Sequence, residues 1–405
     1  MNSPQQRPTV EAAVATVNTA VFAATAAQAA EFTTLLQRLG ETGSHVQTGG
    51  CPAALNWCAQ QIAAVVIVDL DGETAPLQTL KELATLCEPG CHIVALGSHS
   101  DIDLYRALLH GGVLDYLLKP VRLDLLAATL ERSRNDQHDD FARTGRSIAV
   151  TGCAGGAGSS TVVAALAQLL SEVRHVPVAV VDYDRQKGDQ GLLLGAQGDA
   201  GLASALESQE IDARLLQRAM ITVNPRLHLL GQESAPQTLK VVDSEHLLGL
   251  GASLCRLFNQ VIWDLPAAHP HETMEVLRHS ETRILLTDLT VQGARNTQRL
   301  LAKIGDESDG QQLLLVHNPV HAAQPALARE QFEAFVGRRL DLSLPYVGSA
   351  LNESLLAGPL SLQRLPAMRQ ALLDLADLAC GRRPERQQPA GLIDRLKQAI
   401  GRRAA

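Results

Sequence analysis

The sequence predicts an α/β protein built from two doubly wound parallel-sheet domains. Three observations carry that expectation. First, short continuous apolar runs recur along the 405 residues, and three end in a carboxylate: Ala63–Asp69 (AAVVIVD), Val178–Asp182 (VAVVD) and Gln260–Asp264 (QVIWD). Unbroken apolar runs of strand length suit strands buried on both faces, as in a parallel sheet. Second, the segments between such runs place apolar residues at helical spacing, the alternation of α/β folds. Third, Glu131–Arg146 (ERSRNDQHDDFARTGR) is dense in charge and lacks any apolar period, so it divides the alternation into two series.

Composition narrows the function classes. Hydrophobic residues make up 46% and charged residues 19%, so the chain can form cores; aromatics are only 3%, so Leu, Val, Ile and Ala must fill them. A net charge of −8 argues against non-specific nucleic-acid binding. The 7 cysteines are scattered and odd in number, which disfavours a disulfide framework and suits a reducing cytoplasm. Cys87 and Cys91 form a C-x3-C pair without a second pair at metal-site spacing, and read as small apolar residues. No N-terminal segment reads as a signal peptide, and no apolar stretch reaches the length of a bilayer span, so any membrane contact is expected to be peripheral.

Residues 1–17 read as a polar leader and 18–132 as the first domain. Strands are expected at Thr19–Ala24, Val46–Thr48, Ala63–Asp69, His92–Leu96 and Leu114–Leu118. Helices follow each, at Ala27–Leu39, Pro52–Gln60, Leu77–Leu86, Asp101–His110 and Leu123–Arg134. Five βα units predict a sheet of the flavodoxin type. Val65–Asp69, with Asp69 at the phospho-acceptor position, and GGVLDYLLKP at Gly111–Pro120, with Lys119 closing the fifth strand, resemble a response-regulator receiver domain. Two departures matter. The acidic pair that holds Mg²⁺ in receivers is replaced by Ala24-Thr25-Ala26-Ala27, and the switch hydroxyl falls at Gly97, with Ser98 beside it. Without the acidic pair, magnesium-assisted phosphotransfer to Asp69 has little to support it. The resemblance therefore implies a degenerate receiver serving as a docking surface, with Lys119 pairing with Asp69.

After a linker at 133–146, the second domain spans 147–380. Its opening is Ser147–Glu172: an apolar strand, a glycine-rich turn, then Val162, Val163, Leu166, Leu169 and Leu170 at helical spacing. Strand, glycine loop and helix form the context in which backbone N–H groups and a helix N-terminus cradle phosphate. Within Gly155-Gly156-Ala157-Gly158-Ser159-Ser160-Thr161, Ser159 occupies the place of the P-loop lysine. Further strands are expected at Leu227–Leu230, Arg283–Thr287, Gln312–Val316 and Leu342–Tyr346. Helices are expected at Leu202–Leu206, Ala213–Ala219, Glu245–Phe258, Gln292–Ile304, Ala328–Val336 and Pro366–Ala379.

The loop GGAGSST, the Asp182-Tyr183-Asp184 pair, Asp264 with Leu265-Pro266, and Asn318 after a late strand resemble the MinD/ParA class of deviant P-loop ATPases. Receiver-like domain followed by lysine-poor ATPase domain, together with DYDRQKGDQGLLLG and ILLTDLTVQGARNTQRLL, resembles the TadZ/CpaE family of tight-adherence (Flp, type IVc) pilus assembly. The resemblance implies ATP or ADP with Mg²⁺ as cofactor: the loop glycines wrap the phosphates, and Ser160 ligates the metal. Asp264 holds that metal through water, Asp182 or Asp184 positions the attacking water, and Asn318 contacts adenine. It also implies a homodimer, with the pilus secretion ATPase and other assembly components as partners and a peripheral position on the inner membrane, polar or otherwise. The family's second lysine falls at Ala154, so both cations are missing. Charge stabilisation dominates phosphoryl transfer, so very slow or absent turnover is expected, with Asp184 at most a vestigial catalytic residue.

Residues 381–405 read as a linker and a terminal helix. Gly391–Arg403 (GLIDRLKQAIGRR) sets Leu392, Ile393, Leu396, Ala399 and Ile400 on one face, bordered by Arg395, Lys397, Arg402 and Arg403. Such a helix suits peripheral membrane or partner attachment. Two other functions stay open on the sequence: an active MinD/ParA-type positioning ATPase, and a phosphorylation-controlled response regulator.

Overall fold

A computed structural model describes residues 17–135 and 144–381, except 197, 199, 200, 209, 232–241, 306, 308–310 and 321–325. Residues 1–16 of the expected leader and the terminal helix at 391–403 lie outside the described residues, while Val17 already belongs to the first strand. The chain divides into two compact units, 1–144 and 145–405.

The first unit alternates β1 (Val17–Ala23), α1 (Ala26–Arg38), β2 (His45–Thr48), α2 (Gly50–Cys58), β3 (Ala63–Asp69), α3 (Pro76–Leu86), β4 (His92–Gly97), α4 (Ile102–His110), β5 (Asp115–Leu118) and α5 (Leu123–Asn135). Its five strands are parallel, in the order β2-β1-β3-β4-β5. Val66, Ile67 and Val68 of β3 are fully buried because helices cover both faces of the sheet. Thr25, where receivers carry an acid, instead caps α1 in a reciprocal capping box with Gln28. Cys87 and Cys91 are buried in one of this unit's two apolar layers.

The second unit runs β6 (Arg146–Gly152), α6 (Ser159–Gln168, continued by a π-turn at Leu169–Val173), β7 (Val178–Asp182), α7 (Gln190–Leu194), α8 (Leu202–Glu207), α9 (Ala213–Ala219), β8 (Ile221–Asn224), β9 (Leu227–Leu230) and α10 (Ser244–Leu257). It continues with β10 (Gln260–Leu265), α11 (His271–His279), β11 (Thr282–Thr287), α12 (Val291–Ile304), β12 (Gln312–His317), α13 (Arg329–Val336), β13 (Leu342–Ser343), α14 (Gly348–Leu356) and α15 (Pro366–Ala379). The sheet order is β13-β12-β11-β6-β10-β7-β9-β8, parallel except for the edge pair β8–β9.

Strand β6 is central, and the connections leaving it and its neighbours diverge at its C-terminal end, the topological switch point where open α/β sheets bind ligands. The last strand is shorter than expected. Leu342–Tyr346 pairs only at Leu342 and Ser343, because Pro345 has no N–H to extend the ladder. Two apolar layers flank the sheet, one including α6 and α15, the other α10, α11 and α12.

Candidate functional site

In the second unit, strand register brings the acids together. Asp264 of β10 pairs with Asp182 of β7 on one side and with Val150 of β6 on the other. Paired residues on parallel strands share a face, so the two carboxylates lie side by side under the loop that leaves β6. Both are buried, Asp182 at 4% exposure and Asp264 at 1%. Burial, with the neighbouring Asp264 charge, pushes the Asp182 carboxyl up to about 7. Burial likewise raises Asp264 to about 6, against hydrogen bonds from Gln190 and Ser160 that favour its charge. Among the described residues no ion pair joins Asp182, Asp184 or Asp264 to a cation.

The loop has the shape a phosphate requires. A Cβ at Gly155 or Gly156 would meet nothing within 4 Å, so the turn is open at both positions. Gly156 and Gly158 have φ of 79° and 83°, the left-handed region that glycine adopts without strain. Helix α6 starts at Ser159 with no side-chain cap, leaving its first N–H groups for a ligand. These features fit phosphate oxygens; Ser160 and Asp264 are the groups that would hold the accompanying magnesium.

The other predicted residues differ in where they point. The Asn318 carboxamide donates to the Ala157 carbonyl at 2.8 Å, and a Cβ on Gly158 would sit 2.5 Å from its nitrogen. Asn318 thus braces the loop from β12. The Asp184 carboxylate accepts from the N–H groups of Gln186 and Lys187, within its own loop. Lys187 contributes that backbone N–H to the acid beside the cradle.

Gln190 and His269 were not among the residues singled out from the sequence. Gln190 is fully buried; its amide nitrogen donates to Asp264 Oδ2 at 2.7 Å and to the Ser160 carbonyl at 2.9 Å, and its backbone N–H donates to Asp182 Oδ2 at 3.0 Å. His269 follows Asp264 in the turn Leu265–Pro270, with a left-handed φ of 49°, and its Nε2 lies 3.1 Å from Thr151 Oγ1 at the foot of the loop.

In the first unit, Asp69 and Lys119 meet as expected: Lys119 Nζ donates to both Asp69 oxygens, at 2.7 and 2.6 Å. Asp69 also accepts from the N–H groups of Ala24 and Asp71. The unexpected member is Asp71. Its Oδ2 takes Lys119 Nζ at 2.6 Å and the Ser98 hydroxyl, and its Oδ1 takes the Ser98 N–H at 2.9 Å. Burial opposes its charge, but the bonds from Lys119 and Ser98 outweigh it and hold the carboxyl at about 2. Beneath Ser98, a Cβ on Gly97 would lie 2.2 Å from the Tyr116 hydroxyl, which donates to the His99 carbonyl at 2.9 Å.

Known proteins were compared with this chain. No family model matches it. A transcriptional regulatory protein, ZraR of Escherichia coli K12, is 33% identical over 92 residues, 22% of this chain; the chain spans 21% of that relative's length. A ParA family ATPase from Chlorobium tepidum TLS superposes with a TM-score of 0.50 at 22% identity, over 58% of this chain and 98% of the other. That match is longer than the first unit, and it shows the fold alone: the second unit has the fold of ParA-type ATPases. The pilus assembly protein CpaE of Caulobacter crescentus CB15 is 31% identical over 28% of this chain and 89% of the other, with a TM-score of 0.26. CpaE pilus assembly proteins stand among the structural neighbours, beside ParA and MinD proteins.

Proposed function

We propose that this chain is a localisation and assembly factor of a Flp (Tad) pilus machine, using an atypical nucleotide cradle for dimerisation and recruitment rather than for sustained hydrolysis. The observation that carries this reading is the contrast inside one loop. Gly155, Gly156 and the uncapped start of α6 keep the form of a phosphate site, while Ser159 and Ala154 occupy the two lysine positions. A nucleotide held there serves as a structural or dimerising ligand. ATP or ADP is the proposed cofactor; magnesium would add positive charge to phosphates that no lysine of the loop meets.

The receiver-like unit is read as a docking module. Asp71 already occupies the Lys119 and Ser98 donors beside Asp69, and Tyr116 fills the space above Gly97, so neither group is free to respond to a phosphoryl group. No helix among the described residues is long and apolar enough to cross a membrane. Peripheral attachment of a cytoplasmic protein to the inner membrane, polar or otherwise, is assigned to 391–403, with the secretion ATPase as the partner.

Calorimetric titration of ATP and ADP into the wild type and Asp264→Ala tests the cradle. Saturable binding that weakens in the variant supports the reading, and no heat with either nucleotide contradicts it. Lipid co-sedimentation with and without residues 390–405 tests the attachment, and equal partitioning of both chains would remove the membrane role.

A further inference from the structure

We propose that Gln190 is a latch that competes with a divalent cation for Asp264: amide engaged or cation bound, never both. The inference rests on reading the β6–α6 loop as a nucleotide cradle, and it concerns the metal half of that site.

Ser160, through its hydroxyl, and Asp264 are the residues that would hold a cation brought in with nucleotide. The Gln190 amide already donates to Asp264 Oδ2, and it is anchored beside Ser160 by a second bond to that residue's backbone carbonyl. A carboxylate oxygen at 2.7 Å from an N–H donor cannot also face a cation or its water along the same direction, since two positive ends would share one lone-pair region. Gln190 reaches further. Its backbone N–H holds Asp182 Oδ2, so one residue engages both acids.

A second, independent observation points to a ligand. Asp182 Oδ1 is buried and has no hydrogen-bond partner among the described residues. A buried carboxylate oxygen without a donor, beside the register-matched Asp264, is a hard oxygen atom that a cation would satisfy and that the amide does not. The latch must also travel with its helix. Gln190 is the first residue of α7, whose Leu193 carbonyl accepts from the Leu360 N–H, and the Asp182 carboxylate packs against Gly188, where a Cβ would come within 2.7 Å. Releasing Gln190 therefore moves the 183–194 segment relative to α6. Cation entry and α7 displacement are one event.

The test uses the full-length protein and Mn²⁺ as probe, read by electron paramagnetic resonance of the free ion. Gln190→Leu keeps the side-chain size and removes the donor, and Gln190→Ala removes the reach. Both are expected to bind Mn²⁺ at least tenfold more tightly than the wild type, and Asp264→Asn added to either should abolish the gain. Equal Mn²⁺ affinity in wild type and variants overturns the latch. Amide hydrogen exchange on the wild type serves where a variant fails to fold: Mn²⁺ at saturation should raise exchange at 190–194, and unchanged protection with Mn²⁺ bound overturns the proposal. The same titrations repeated with ADP separate the two readings. If ADP binds no form of the protein, the cradle reading fails, while the Mn²⁺ arms still decide the role of Gln190.

Discussion

Gln190 donates its amide to Asp264 at 2.7 Å, and that single bond ties the segment after β7 to the acid at the end of β10. Two buried carboxylates that would repel one another are held by amide and backbone donors instead of by lysine or metal.

Restoring the loop lysine should strengthen the site. Ser159→Lys places a cation beside the phosphates and opposite Asp182 and Asp264. Charge-assisted contacts are worth about 1.5–3 kcal/mol, so nucleotide affinity should rise by roughly tenfold or more. Calorimetry with ADP measures it; unchanged affinity would mean that the loop does not hold phosphate.

Stability should depend on pH with a defined sign. Burial raises both: Asp182 to about 7, with the Asp264 and Asp184 charges adding to it, and Asp264 to about 6, with Asp184 and Asp189 adding negative field. The folded protein therefore holds protons that the unfolded chain has released above the ordinary carboxylate range. Their contribution is fully present below about pH 4 and is lost as pH rises through 6 to 7. In metal-free buffer, melting temperatures of the wild type should fall from pH 5 to pH 8 relative to Asp182→Asn. Parallel curves for the two proteins would contradict the assignment.

Asp71 should matter to the first unit more than its half-buried turn position suggests. Asp71→Ala removes the acceptor shared by Lys119 and Ser98, with an expected cost of about 1–3 kcal/mol in denaturant unfolding. Incubation with acetyl phosphate should leave the wild type unphosphorylated on a phosphate-affinity gel. A stoichiometric shift abolished by Asp69→Asn would restore the phospho-switch reading.

Gly97 and Tyr116 should be coupled. Gly97→Thr forces a side chain into the space of the Tyr116 hydroxyl, and overpacking of that kind costs about 1–3 kcal/mol. Tyr116→Ala should relieve part of that cost, giving a non-additive double-mutant cycle. Additive effects would show that the two positions do not compete for space.

Much of this was legible in the sequence, because the signals were long or chemically distinctive. Strands such as Ala63–Asp69 and Val178–Asp182 are buried on both faces and so appear as unbroken apolar runs. The glycine loop is marked by φ values that other residues resist. The gaps have equally physical causes. Helix α7 has only 5 residues, too few to show a period, so no helix was expected there and nothing singled out Gln190 within DYDRQKGDQGLLLG. Strand β8, Ile221–Asn224, is a half-buried antiparallel edge, and its mixed ITVN pattern lacks the apolar density of its parallel neighbours. Asp71 sits in Asp71-Gly72, which reads as a turn; only the fold brings Ser98 and Lys119 to it. Asn318 was placed correctly at the end of a late strand, but its bond to Ala157 depends on strand order, which no local pattern encodes.

The central claim is a cradle that holds nucleotide without consuming it. The most direct measurement incubates the purified protein with labelled ATP, isolates the bound fraction and identifies the nucleotide by chromatography over time. The account predicts intact ATP that stays ATP through many protein half-saturation times. Conversion to ADP at a steady turnover comparable with lysine-containing ATPases of this fold would contradict it.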